Sequence, residues 1–390
     1  MRTASVSTAL TFLSWPATAQ GGAPLETELD LEWVTALYPI SDHEADTEKA
    51  EILGELSLIA QTQKVLENGV RLRARGALRL QRDNPSRPGG IGGFGGDVFA
   101  PVGAFSGLSS AAPLANSDMR GRLETAYFQI DGGYGEVRLG KDRGVADRFH
   151  EGTKSVLSQA RLDSTFLDPS GLATIRSRHN LTGPSAKLSY ATPRLVGVRA
   201  GLSFTPKAEA DGLDRRPAAG TGGTAPETEN AVEFALNATR RFRDSGLRID
   251  VGLGWSNADV SATGLTSQYG TVESWSAGTR IEKDDWPFGT SWLASDNGLP
   301  NSDYSAWSAG LHRDLYNTEF SAEYGQSEDD GAGLDSSGWR IGAARKFGPS
   351  TKLAIAYLND EIESPLQNRR SQGVVVEITL SQEIVRLTGN

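Results

Sequence analysis

The chain has 390 residues, 45 of them glycine, with 38% hydrophobic residues, 2 methionines and no cysteine. A formal charge of −10 excludes the basic face that a nucleic-acid binder needs, and the missing cysteine excludes disulfides, thiolate nucleophiles and zinc–thiolate centres. No run approaches the roughly eighteen apolar residues of a transmembrane helix, so a membrane location requires a closed β-barrel, which also leaves no backbone group unpaired in lipid.

In residues 1–19, Arg2, the weakly apolar stretch Ala4–Leu13 and Ala17-Thr18-Ala19 have the arrangement of a cleaved export signal, with a mature chain of residues 20–390. From Leu25 onward polarity settles into period two. Leu29, Leu31 and Trp33 alternate with Glu28, Asp30 and Glu32, and Ile52, Gly54, Leu56 and Leu58 mark a second strand. The third strand is the most lopsided: Arg71, Arg73, Arg75 and Arg79 share one face, and Leu72, Ala74, Leu78 and Leu80 the other. A row of guanidinium groups cannot be packed dry without partners. The arginine face therefore belongs to water and the leucine face to lipid or protein.

A long Gly/Pro/Ser-rich loop follows at Asp83–Ser117, then strands at Met119–Ile130 and Glu136–Asp142 around the tight turn Asp131–Tyr134. The next connection, Gly144–Thr174, is too long to be an idle link and is assigned to the lumen of the barrel. Further strands are expected at Arg176–Ala191 and Leu195–Phe204, with an exposed loop at Lys207–Glu229. The remaining strands centre on Val232–Ala238, Leu247–Ser256, Trp275–Ile281, Trp286–Trp292, Trp307–Leu311, Thr318–Tyr324, Trp339–Ala343, Leu353–Tyr357 and Val374–Leu380. About sixteen strands of about ten residues, with short turns alternating with long loops, predict an all-β fold: a transmembrane antiparallel β-barrel with a wet inner face. Trp33, Tyr127, Tyr190, Trp255, Trp286, Tyr304, Trp339 and Tyr357 recur near strand ends as candidate interfacial girdles.

Ala126–Lys141 (AYFQIDGGYGEVRLGK) resembles the strand, glycine turn and strand of the Gram-negative general porins, particularly those of the Rhodobacter type. Ser189–Val198 (SYATPRLVGV) is similar to their Tyr-x-Ser-Pro hairpin. The resemblance implies a sixteen-stranded, homotrimeric outer-membrane barrel, constricted by its third loop between the fifth and sixth strands, where Gly144–Thr174 falls. It also implies acids on that loop facing bases on the wall. Asp147, Glu151, Asp163 and Asp168 are the expected loop acids. Arg71, Arg73, Arg75, Arg79, Arg122, Arg138 and Lys141, which stands where the motif carries Arg, are the expected wall bases. Opposed charges across a narrow aqueous gap set up a field that orients dipolar solutes and sorts ions. The plainer assignment, charges that only solvate the wall and loops, stays open. The chain departs from the family in ending Ile384–Asn390 rather than on an aromatic residue.

Enzymatic readings fare worse. His43, His150, His179 and His312 lack metal-ligand spacing, His179 with Ser185 lacks a nucleophile elbow, and Gly183–Lys187 lacks the P-loop spacing. The expectation is a passive pore of the Gram-negative outer membrane for small hydrophilic solutes and ions. It works in lipid without cofactor, metal or nucleic acid and performs no catalysis. The alternatives are a channel specific for an anionic solute, suggested by the arginine row, and a soluble periplasmic β protein.

Overall fold

A computed structural model describes residues 24–42, 49–82, 103–109, 120–163, 167, 168, 170, 172–209, 226–262, 269–283, 286–364 and 368–389. The export segment, His43, most of Asp83–Ser117 and residues 210–225 lie outside these. The strands are β1 (Leu25–Asp42), β2 (Lys49–Val65), β3 (Arg71–Arg82), β4 (Arg120–Gly132), β5 (Gly135–Asp142), β6 (Ser185–Ala191), β7 (Val198–Lys207) and β8 (Glu227–Phe242). They continue as β9 (Leu247–Ser261), β10 (Thr271–Lys283), β11 (Trp286–Ser295), β12 (Tyr304–Leu315), β13 (Thr318–Asp329), β14 (Leu334–Phe347), β15 (Thr351–Glu363) and β16 (Asn368–Gly389). Each strand pairs with its neighbours in sequence, and β1 pairs with β16 from Leu25↔Gly389 to Asp42↔Ser371, closing the barrel. Closure joins the first and last strands, so neither is left as the edge of an open sheet.

The alternation in sequence is the alternation in space. In β9, Asp250, Gly252, Gly254 and Ser256 are buried towards the lumen, while Leu253 on the opposite face is 47% exposed. The arginines of β3 follow the inner parity. Arg75 pairs in register with Gln61 and Tyr127, and Tyr127 is buried inside, whereas Leu78 and Leu80 project outwards. Between Ala77 and Leu78 the register shifts, so Glu124 is one extra residue in β4. This bulge resets the alternation. It turns Arg122 inwards opposite Arg79, although Arg122 shares its even number with Ile130 on the lipid side.

Several expected boundaries move. Arg176–Pro184 is not strand, because its side chains dock onto the inner wall and its backbone has no neighbouring strand; β6 begins at Ser185. Strand β7 begins at Val198, since Thr192–Gly197 forms the turn, and Glu227–Glu229 is part of β8 rather than a loop. Two expected girdle residues, Tyr127 and Tyr304, are buried inside the barrel instead.

Apolar packing lies in the lumen, where the inserted loop meets the wall. Val156, Leu157 and Leu167 form one cluster with Leu53, Leu358 and Val375. Burying each of these leucines contributes about 1.5–3 kcal/mol. A purely polar inner face offers no such anchor, so this sector of the wall carries apolar residues on its lumenal side.

Candidate channel constriction

The insertion between β5 and β6 makes two passes along the inner wall. An outgoing limb starts with a helical turn, Val145–Arg148, and reaches its far end at Ser158–Ala160; a return limb comes back to Ser185. The outgoing limb lies on a track of inward glycines. A Cβ at Gly252 would overlap the Phe149 carbonyl oxygen, one at Gly278 the Glu151 carbonyl oxygen, and one at Gly289 the Gly152 carbonyl oxygen. Gly252 and Gly278 are cross-strand partners, so hydrogen side chains on adjoining strands leave room for the loop backbone. The far end is held by Glu377 of β16, only 1% exposed. Its carboxylate accepts from the backbone amides of Ser158 (2.7 Å), Gln159 (3.3 Å) and Ala160 (2.8 Å). The Gln159 side-chain amide also donates to Glu55 of β2 (3.0 Å).

The return limb is bonded with equal density. Ser177 Oγ lies 2.6 Å from Ser291 Oγ and 2.8 Å from Ser308 Oγ. The His179 ring bridges Ser256 (2.7 Å) and Ser276 (3.0 Å), and burial pushes its pKa down to about 4. Ser185 donates instead to the Thr182 carbonyl, so His179 and Ser185 form no catalytic pair. Arg340 of β14, fully buried, donates to the Ala160 carbonyl and holds Asp360 at 2.9 Å.

The predicted loop acids are engaged within this scaffold. Asp147 is buried against Arg178 and lies 3.7 Å from Arg143. Burial pushes its carboxyl up, but the two guanidinium groups outweigh that and hold its pKa down at about 2. Glu151 pairs with Arg280 of β10 at 3.0 Å and Asp163 with Arg161 at 3.0 Å. Asp168, also buried, accepts from Ser170 (2.9 Å) and from the Ala173 amide (3.1 Å).

On the opposite wall, Arg79 pairs with Glu124 (2.7 Å) and Glu55 (3.3 Å). Arg138 pairs with Glu136 and Asp142, both at 2.8 Å, and sits over the Tyr127 ring. Arg73 contacts Gln63 at 3.3 Å. Arg71 at the end of β3 is exposed and Arg75 half-buried, both on the inner face. Lys141 does not join them. It lies three residues from inward-facing Arg138, and residues an odd number apart on a regular strand face opposite ways. Lys141 therefore shares the outer parity of Leu139, which is 62% exposed, and its ammonium pairs with Glu209.

Sequence reasoning missed the cations of the insertion: Arg143, Arg148, Lys154, Arg161, Arg176 and Arg178. Arg148 pairs with Glu136, and Arg143 lies 3.6 Å from Glu124. It also missed Phe105, in the loop between β3 and β4. Phe105 is fully buried against Tyr304 on the far side of the lumen, and its carbonyl accepts from Arg176 at 2.9 Å. The usable signal was the run of glycines at the inward parity of successive strands; Phe105 is one of three phenylalanines in its Gly/Pro tract and nothing in the sequence singles it out.

The Gram-negative porin family profile matches residues 6–363. A search of curated proteins gives no match. Among solved structures, the Salmonella typhi OmpF complex with daunomycin is similar with a TM-score of 0.59 at 12% identity, covering 93% of this chain and 98% of that one. A loop L8 deletion mutant of OmpT, an outer membrane protein of Vibrio cholerae, gives 0.57 at 12% identity, covering 92% and 100%. At such identities the likeness is one of fold, and the family match carries the assignment. A closed sixteen-strand barrel with a wet, partly obstructed lumen thus belongs to the Gram-negative porin family, as a diffusion channel of the outer membrane.

Proposed function

We propose that the narrowest passage lies between the insertion and the inner wall of β3–β5, and that it favours small anions. The observation that carries this reading is an imbalance of partners. The loop carboxylates Asp147, Glu151 and Asp163 are each tied to arginines of the insertion or of β10, while Arg71, Arg73 and Arg75 face the lumen from the other side. Solute crossing the gap therefore meets guanidinium groups on the wall and an electrically quenched loop. Arg79, Arg122 and Arg138 extend the same wall, with Glu55, Glu124 and Asp142 partly offsetting them. The negative charge of the whole chain does not oppose this, because charge at the constriction outweighs charge elsewhere.

Reversal potential across a salt gradient is the direct test, with chloride expected to pass in preference to potassium. One unit charge about 5 Å from the ion path in water is worth about 0.8 kcal/mol. Chloride loses that attraction and potassium loses an equal repulsion, so Arg75→Gln should lower the chloride-to-potassium permeability ratio by up to about sixteenfold; an unchanged ratio removes Arg75 from the constriction.

The passage works by diffusion alone, without cofactor or chemistry. Capture of both His179 nitrogens by serine hydroxyls supports that reading. The protein is exported through removal of residues 1–19 and functions as a homotrimer, readings supported by the sequence of the export segment and by the porin resemblance. N-terminal sequencing and cross-linking of membranes test the two separately.

A further inference from the structure

The connection between β3 and β4 reaches the far side of the bore. Its described residues, 103–109, dock on the connection between β11 and β12, and β11 stands eight strands from β3 in either direction around the closed ring. The chain therefore leaves one side of the ring at Arg82, docks on the opposite side and returns to Arg120.

A buried latch holds the dock. Asn297, with no exposed surface, uses the full hydrogen-bonding capacity of its side-chain amide. Its Oδ1 accepts from the backbone amides of Phe105 (3.2 Å) and Ser106 (3.0 Å), and its Nδ2 donates to Ser106 Oγ (2.9 Å) and to the Ser302 carbonyl (2.8 Å). Three of these bonds go to the docked segment, which is what answers an otherwise costly buried amide. The same contact requires Gly103, because a Cβ there would fall 2.3 Å from Asn297 Cγ. From the other side, Arg176 of the return limb donates to the Phe105 carbonyl at 2.9 Å and lies 4.9 Å over the Phe105 ring. The ring packs in a cluster with Leu181, Val260, Val272 and Leu293.

The inward positions of β11 give the height of the dock. Gly289 supports the outgoing limb, Ser291 meets Ser177 of the return limb, and Leu293 joins the cluster around Phe105. At about 3.3 Å per residue, the docked segment lies about 13 Å along the strand from the outgoing limb, towards the side of the long loops.

We propose that this crossing segment is a second selection point in series with the constriction. It is an outer size filter that turns away bulky hydrophilic solutes before they reach the gap beside β3–β5, with Asn297 as its latch. The filter rests on the channel reading; the dock stands on the contacts above.

The test adds polyethylene glycols of graded size to one side or the other of single channels in planar bilayers and reads the loss of conductance as each polymer enters. Asn297→Gly keeps the left-handed backbone of this position (φ 54°) while removing the latch. Losing three hydrogen bonds, each worth roughly fivefold, multiplies the undocked fraction on the order of a hundredfold. The variant should admit larger polymers from one side only and match the wild type on the other. A second variant runs the experiment in reverse. The chain has no cysteine of its own, so Gly103→Cys with Asn297→Cys carries a single thiol pair, which the close contact at these positions brings within disulfide reach. Oxidised, this channel should exclude polymers as the wild type does; reduced with dithiothreitol, it should behave as Asn297→Gly. Heat-modifiable electrophoretic mobility verifies that each variant remains a closed barrel. A one-sided shift that oxidation reverses supports the filter. A shift on both sides, or no difference between the oxidised and reduced double variant, overturns it. Protein that conducts in no variant overturns the channel reading and the filter with it, whereas conduction with an unchanged size limit in Asn297→Gly overturns the filter alone.

Discussion

Glu377 holds the far end of the inserted loop, a role that none of the residues singled out for their charge performs. Its buried carboxylate answers the three successive amides of Ser158–Ala160, and hydrogen bonds to a charged acceptor each contribute about 1.5–3 kcal/mol. Glu377→Ala should destabilise the seated loop by about 3 kcal/mol or more and raise open-channel current noise, while Glu377→Gln restores part of both. Unchanged noise in the alanine variant would show that the far end is held by other means. Acid acts on the same loop through His179 and Asp147. Burial lowers the pKa of His179 from its ordinary value of about 6.5 to about 4, so below pH 6.5 an unseated loop takes up a proton that the seated one refuses. Seating therefore weakens progressively from pH 6.5 down to about 4, by on the order of 3 kcal/mol. Asp147, held charged down to about 2, adds a second loss as pH falls below 3.8. Amide hydrogen exchange across residues 145–184 should accelerate between pH 7 and pH 4.5. His150, whose pKa burial lowers to about 3, shares this stage, so His179→Phe should reduce it and only the double variant with His150→Phe should flatten it. At this scale the sequence was least informative. It showed that Arg71, Arg73 and Arg75 need water, because parity alone decides it. It did not show which acid meets which arginine, because partnership depends on where a folded-back loop comes to rest. Lys141 was assigned by analogy where the count from Arg138 already excluded it.

The insertion as an element behaves as a fitted part rather than a tether. Its backbone rests on Gly252, Gly278 and Gly289, where any Cβ would intrude on a carbonyl oxygen, and its leucines enter an apolar patch of the wall. Gly278→Val should push the outgoing limb into the bore, adding about 1–3 kcal/mol of overpacking strain and lowering single-channel conductance. The lipid-facing surface is untouched, so the barrel should still show heat-modifiable mobility; wild-type conductance in this variant would mean that the limb does not rest on the track. The length of Gly144–Thr174 announced a lumenal loop, and the loop does enter the lumen. Its extension to Pro184 was hidden because Arg176–Pro184 mixes polar and apolar residues much as a strand does. The wall against which it leans was hidden too, since a glycine in a strand reads as a weak strand position until something is seen lying on it.

For the whole molecule, the fold was legible because two solvents write alternate letters along each strand. Leu253 and Leu139 record lipid, Asp250 and Arg138 record water, and turn lengths record the two sides of the membrane. The seam between β1 and β16 adds something no strand pattern carries. The far end of the insertion grips Glu377 on β16 and, through Gln159, Glu55 on β2, the strands flanking β1 on either side. Zipping of the last strand and seating of the obstruction thus share contacts, and each favours the other. Such a chain would not pass through a stage in which a wide, unguarded hole stands finished in the envelope, so the bacterium is spared a leak during biogenesis.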